Sequence, residues 1–368
     1  MGWVKNTIVL SSANILIFIC FLGGAAITPP LMHDIRYYIR NNFSGDLKEA
    51  DVDRVNLPVC SEHVWAKKRF IELKNTETEY YDYVGWRRNS FNGETITVDG
   101  DGHRRHDTST AFIDADVWFF GGSTMWGLGV NDASTIPAHY QARTGSPSFN
   151  FGELGYTAHQ SLNLLMKTYV RGGRPKRVVF YDGVNDVLYK CRSEMNFFSS
   201  QAEWRIRDKI QRNEAVFRKT DDALAPAVDI FLELYYRFSP FKPRRLAYDC
   251  DINSQKVRHI TQALLLDWRT AKAIVEQYGG EFYAVLQPLA FAGSPNLSYL
   301  PKGFLMENLR RQYGVVYREI KKTLRREQFD FLDLTRELDN GQYYIDFCHV
   351  IPEGNRVIAN AVARVTDD

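Results

Sequence analysis

The sequence predicts an α/β protein, a central parallel sheet covered by helices on both faces, with one membrane-spanning helix ahead of it. Three observations predict this. From about residue 111 short β-rich runs alternate with amphipathic helical stretches, the pattern of a parallel sheet built from crossover units. Residues 7–28 carry no charged side chain. Of the 368 residues 45% are hydrophobic and 24% charged, which supports a large core and excludes a disordered or low-complexity chain. Forty-six basic against 44 acidic residues leave a net charge of +2, far from the concentrated basic field of a nucleic-acid binder.

The first element is the apolar run TIVLSSANILIFICFLGGAAIT. At about 1.5 Å per residue a helix over 7–28 reaches roughly 33 Å, enough to cross a hydrocarbon core of about 30 Å. Trp3 precedes it, and Tyr37 and Tyr38 follow near Arg36 and Arg40, resembling an interfacial belt. Gly24-Ala25-Ala26 would suit signal-peptide cleavage, but the run exceeds a usual signal core, so a retained anchor is expected. Cys20 lacks the small preceding residue of a lipidation signal. The expectation is an anchor and juxtamembrane segment over 1–44, with the bulk of the chain outside the cytoplasm. Cys60, Cys191, Cys250 and Cys348 then form an even set with three possible pairings; four thiols of a reduced chain are the other reading. No Cys/His spacing suggests zinc.

Residues 45–110 read as an irregular lead-in packed on the domain that comes after them. Strands are expected over Val117–Phe120, Phe149–Phe151, Arg177–Tyr181, Phe282–Leu286 and Phe329–Leu334. Helices are expected over Thr135–Arg143, His159–Val170, Val257–Tyr278, Phe304–Arg325 and Pro352–Val365, the last opened by a proline. Residues 187–255, rich in Arg, Phe and Tyr, form an insertion within the 111–368 domain. Right-handed crossovers place the carboxyl ends of all five strands on one side, where such sheets bind ligands.

Four blocks fall at that side. The first strand runs into Gly121-Gly122-Ser123-Thr124, where paired glycines allow a tight turn that presents the serine; a helix N-cap is the plainer use of such a serine. The second runs into Asn150-Phe151-Gly152-Glu153-Leu154-Gly155-Tyr156, and the third into Gly183-Val184-Asn185-Asp186. Beyond the fifth lies Asp346-Phe347-Cys348-His349, whose spacing can set a carboxylate beside an imidazole. Each block alone is ordinary. Together they converge on one rim.

In order and spacing these blocks resemble the SGNH (GDSL-like) hydrolase superfamily over about residues 111–366, the insertion excluded. The resemblance implies a three-layer α/β/α flavodoxin-like sandwich. It also implies a catalytic triad of Ser123 as nucleophile, His349 as base and Asp346 as acid. Its oxyanion hole is formed by Ser123, Gly155 and Asn185, with Gly152 a lesser candidate than Gly155. One departure is visible: the Asp of the Gly-Asp-Ser-Leu pattern is Gly122 here.

Other residues compete for roles. His103-Arg104-Arg105-His106 with Asp99, Asp101 and Asp107 could suggest a metal, but lacks calcium-loop and zinc-site spacing; a solvated loop is expected. Asp333 is a rival triad acid within a strand, and Asp186 is expected to cap the turn after it. Trp126 and Tyr156 could stack on a sugar at the rim or pack in the core. Asn42 and Asn296 head glycosylation sequons. The expectation is an extracytoplasmic serine esterase, needing no cofactor or metal, that removes O-acyl groups from a carbohydrate or other small ester. An O-acyltransferase using the same triad and a noncatalytic glycan-binding or assembly protein are the alternatives.

Overall fold

Five parallel strands, β5 (Val117–Gly121), β6 (Ser148–Asn150), β7 (Arg177–Asp182), β8 (Glu281–Leu286) and β9 (Leu332–Asp333), form one sheet in the order β6-β5-β7-β8-β9. A computed structural model of the chain describes residues 49–195, residue 200 and residues 247–367. The 7–28 run with its flanking aromatics, Cys20, Asn42 and most of the 187–255 insertion lie outside the described residues. Among the described residues no helix is long and apolar enough to cross a membrane.

Strand alternation divides the core into two layers. Trp118, Phe120, Val178, Phe180, Ala284 and Leu286 face α6 (Ala158–Val170), α8 (Ser254–Gln277) and α9 (Glu307–Arg326). Val117, Phe119, Val179, Tyr181 and Val285 face α5 (Ile136–Thr144) and α10 (Pro352–Thr366). Near-continuous apolar strands of this kind are what a sheet covered on both faces requires. The helices carry local start and stop signals. Thr135 caps α5, with Pro137 in its first turn and Gly145 closing it at φ +73°. Thr157 and Gln160 form a capping box on α6, and Pro352 opens α10.

The fifth strand is shorter than expected. Only Leu332 and Asp333 pair with β8, because the Phe329 N–H turns back to the Leu324 carbonyl and Gln328 takes φ +50°, ending α9. The 45–110 lead-in is not irregular. It holds three helices, α1 (Glu49–Val55), α2 (Pro58–Ser61) and α3 (Ala66–Asn75), and two hairpins, β1 (Thr78–Tyr81) with β2 (Gly85–Arg88) and β3 (Phe91–Asn92) with β4 (Thr97–Val98). Cross-strand pairs stabilise the first hairpin: Tyr80 opposes Trp86, and Arg87 Nε donates to Glu79 Oε1 at 2.6 Å. The Trp86 indole donates to Leu154 O at 3.1 Å and Gln160 Nε2 to Val84 O at 2.8 Å, tying this hairpin to the second block.

Of the four cysteines among the described residues, Cys191 and Cys250 form a disulfide, while Cys60 and Cys348 are free and buried. The bridge joins the residue that follows α7 (Val184–Lys190) to one four residues before α8.

The 103–106 loop is not solvated. His103 and Arg104 are buried, His103 edge-on to the rings of Phe149 and Phe151. Burial pushes the His103 imidazole down to about 4 despite the nearby Asp99 and Asp101, and burial does the same to His106, also to about 4. An unfolded histidine titrates near 6.5, so the unfolded state binds these protons first. Stability is therefore full above about pH 6.5 and falls toward pH 4, by up to about 1.4 kcal/mol per pH unit for each ring. Urea midpoints at pH 7 and pH 4.5 check this, and His103→Phe is expected to shrink the difference between them. An unchanged difference would remove His103 as a cause.

Candidate active site

The first block begins where β5 stops. Gly122 has extended backbone, and Ser123 opens the four-residue helix α4 (Ser123–Trp126), which Gly127 ends at φ +93°. A Cβ on Gly122 would lie 2.3 Å from Asn185 Nδ2 and 3.2 Å from the Tyr156 carbonyl oxygen. Glycine is thus what lets the third block's amide and the second block's turn close on the residue before the serine. Ser123 sits at the first helical position, where a backbone N–H has no intrahelical acceptor.

His349 arrives from the opposite end of the chain. Its Nε2 lies 2.7 Å from Ser123 Oγ, and its Nδ1 lies 2.7 Å from Asp346 Oδ2. A carboxylate only accepts, so the Asp346 contact assigns the proton to Nδ1 and leaves Nε2 to accept from the serine O–H. The Asp-x-x-His turn also holds its own carboxylate: Asp346 Oδ1 accepts the N–H groups of Cys348 at 2.9 Å and His349 at 2.8 Å. Burial pushes the Asp346 carboxyl up, but His349, Arg54 and the Cys348 N–H outweigh it and hold the group well below the usual carboxylate range. Asp333 plays no part in this contact; it pairs with Lys321 at 3.0 Å and caps Thr335.

Asn185 is buried in the first turn of α7. Its Nδ2 donates to Tyr156 O at 2.8 Å, fixing which way the amide faces. Asp186 does not cap the turn after it. It braces the start of α7 instead, accepting from the Ala158 N–H at the start of α6 and from Lys190 Nζ at 2.5 Å. Gly155 adopts φ +83°, turning the chain so that the Tyr156 carbonyl meets Asn185 and Gly122. Gly152 is pressed against the far end of α4, where a Cβ would come within 2.5 Å of Trp126 N. Tyr156 and Trp126 are core residues, not rim platforms. The Tyr156 hydroxyl donates to Trp86 O, and the Trp126 ring has the guanidiniums of Arg104 at 4.4 Å and Arg88 at 5.4 Å from its centroid.

Two arginines whose roles the sequence did not reveal support the site. Arg54 of α1 reaches Asp346, its Nη2 donating to Oδ2 at 2.9 Å. Arg104 holds α4 from behind through the carbonyls of Trp126 at 3.1 Å and Gly127 at 2.6 Å. Asp346, Cys348 and His349 bring three ligand-type atoms within 4.8 Å of one another. The Arg54 charge on Asp346 and the burial that raises the Cys348 thiol well above its ordinary value both oppose a cation there.

No family model matches this chain, and no curated protein matches it. Among solved structures it is similar to a member of the lipolytic protein G-D-S-L family from Veillonella parvula (10% identity, covering 68% of this chain and 97% of that one, TM-score 0.37). It is also similar to a carbohydrate acetylesterase family member from Sinorhizobium meliloti (13% identity, 68% and 95%, TM-score 0.34). A third is the acetyl xylan esterase AlAXEase (15% identity, 68% and 98%, TM-score 0.36). Likenesses this loose carry no functional assignment to this chain.

Proposed function

We propose that the chain is a serine ester hydrolase of the SGNH kind, with Ser123 as nucleophile, His349 as base and Asp346 as acid. The observation that supports this reading is the unbroken hydrogen-bond series from Asp346 through both imidazole nitrogens to Ser123 Oγ, 2.7 Å at each end. A serine hydroxyl attacks an ester only as a base removes its proton. His349 Nε2 takes that proton while Oγ bonds to the acyl carbon, and Asp346 stabilises the imidazolium that forms. The same proton then goes to the leaving alcohol oxygen as the ester C–O bond breaks. Water repeats the sequence on the acyl-serine, releasing the acid and restoring the serine. The Ser123 and Gly155 N–H groups and the Asn185 amide are the proposed donors to the charged carbonyl oxygen, and one such donor is worth about 10²–10³ in rate.

The finer reading is removal of O-acetyl groups from a glycan outside the cytoplasm, by a chain held to the membrane through residues 7–28. The Cys191–Cys250 disulfide supports an oxidising compartment, since such bonds seldom persist in a reducing cytosol. The test is acetate release from acetylated oligosaccharides by the wild type and Asn185→Ala. The wild type is expected to release acetate without an added acceptor, and Asn185→Ala to do so about 10²–10³-fold more slowly while remaining folded, with a stability loss of about 1–3 kcal/mol for the orphaned Tyr156 carbonyl. Acetyl transfer to an added sugar with no release to water would make the protein an acyltransferase instead. Wild-type turnover in Asn185→Ala would remove Asn185 from the oxyanion hole.

A further inference from the structure

Arg54 comes from α1, more than sixty residues before the first strand of the sheet, yet it reaches the acid of the proposed triad. Its Nη1 donates to Asp51 Oδ1 at 2.8 Å and its Nη2 to Asp346 Oδ2 at 2.9 Å, and its guanidinium lies 5.7 Å from the Phe304 ring centroid. Its side chain is 19% exposed and that of Asp346 3%. We propose that Arg54 is a positioning residue for the relay: it anchors Asp346 Oδ2 and supplies its countercharge whenever the imidazole is neutral. This inference rests on the esterase reading.

His349 Nδ1 reaches both oxygens of Asp346, Oδ2 at 2.7 Å and Oδ1 at 3.0 Å, but their other partners differ. Oδ1 is held by the backbone of its own turn, through the N–H groups of Cys348 and His349. Oδ2 is shared by His349 Nδ1 and Arg54. Whenever the imidazole is neutral, Arg54 provides the full positive charge beside this buried anion; without it the carboxylate would then face dipoles alone, a costly arrangement. During turnover the imidazolium and the guanidinium flank one carboxylate. Both cations then draw on the same oxygen of that carboxylate, Oδ2.

The other groups near the relay do not take over this task. Cys348 Sγ lies 3.5 Å from His349 Nδ1, and burial raises its thiol well above the ordinary value. Burial likewise pushes the Cys60 thiol up to about 12. Both are therefore uncharged near neutrality. Asp51 is committed to Arg54, and Ser123 is neutral. The acid end of the relay thus has one formal cation in hydrogen-bond contact with it among the described residues.

A residue that only stapled the lead-in to the sheet would affect stability and leave the pH–rate profile alone. The test is hydrolysis of p-nitrophenyl acetate across pH by the full chain, as wild type, Arg54→Met and Arg54→Lys. Arg54→Met is expected to lower kcat by about 10–100-fold, with KM changed less than about twofold. It is also expected to move the acid limb of kcat/KM upward by about half a pH unit or more, because a positive charge has left the base's surroundings. Arg54→Lys keeps the charge but not the planar fork, so its acid limb should match the wild type while kcat recovers only in part.

An active wild type with an Arg54→Met variant of equal kcat and identical pH profile would overturn the inference and leave the esterase reading intact. A wild type that hydrolyses no ester would overturn both. If Arg54→Met does not fold, Arg54→Lys decides. Reduced kcat with an unmoved acid limb supports the inference, and wild-type kcat or a displaced limb overturns it.

Discussion

Ser123→Ala is expected to lower ester hydrolysis on the order of 10⁶-fold in kcat, close to the loss of the whole relay, while leaving the fold unchanged. The size of the effect comes from the geometry. Ser123 Oγ is one end of the hydrogen-bond series, its hydroxyl donating to His349 Nε2 at 2.7 Å. With the hydroxyl gone, His349 and Asp346 remain paired but have no proton to take from a nucleophile. Removing His349 alone should cost about as much, because the members act as a unit. The folding expectation is equally specific. Ser123 uses its backbone to start α4, and the Gly127 and Leu128 N–H groups bond to its carbonyl, contacts that alanine retains. Circular dichroism and a urea midpoint alongside the kinetics check both halves. A variant that retains more than about a thousandth of wild-type kcat would mean that another group carries the chemistry.

The second large effect is on stability. Arg104→Met is expected to cost about 4–5 kcal/mol or more, a large part of the 5–15 kcal/mol that holds a typical domain. Arg104 has no exposed side-chain surface. Its guanidinium donates to four backbone carbonyls, those of Thr95, Trp126, Gly127 and Val130, and its Nε pairs with Asp132 at 2.8 Å. Methionine fills much of the volume but leaves these acceptors without a donor in a place water does not reach. Two of them close the turn that carries Ser123, so the loss falls on the site as well as on the core. Urea unfolding of both proteins measures it. A stability within about 1 kcal/mol of wild type would show that water or a neighbouring donor satisfies those carbonyls.

The parts of this molecule that local residues determine were legible in the sequence. The Val117–Gly121 strand reads directly from its apolar run, and α5 and α10 read from Thr135, Pro137, Gly145 and Pro352. The four blocks could be ordered onto one rim because parallel crossover topology puts every strand's carboxyl end on one side. What stayed hidden depends on partners distant in sequence. Arg54 looked like one charge among DVDRV, and its partner lies 292 positions away. Arg104 looked solvated because buried arginines are rare, and its acceptors are main-chain carbonyls that carry no residue identity. The first hairpin was missed because its turn around Asp82-Tyr83-Val84 lacks an Asn-Gly signal; Tyr83 takes φ +61° instead. Its Tyr, Trp and Arg content was the available clue. The cysteine pairing was beyond counting: four thiols allow several connectivities, and the fold brings one pair together.

Attack by Ser123 on an acyl or phosphoryl centre, with His349 as its base, is tested most directly by a fluorophosphonate probe and peptide mass spectrometry. One equivalent of probe on the peptide containing Ser123 is expected in the wild type, with labelling lost in Ser123→Ala and nearly lost in His349→Ala. A folded wild-type chain that stays unlabelled, or one that labels at another residue, would contradict it.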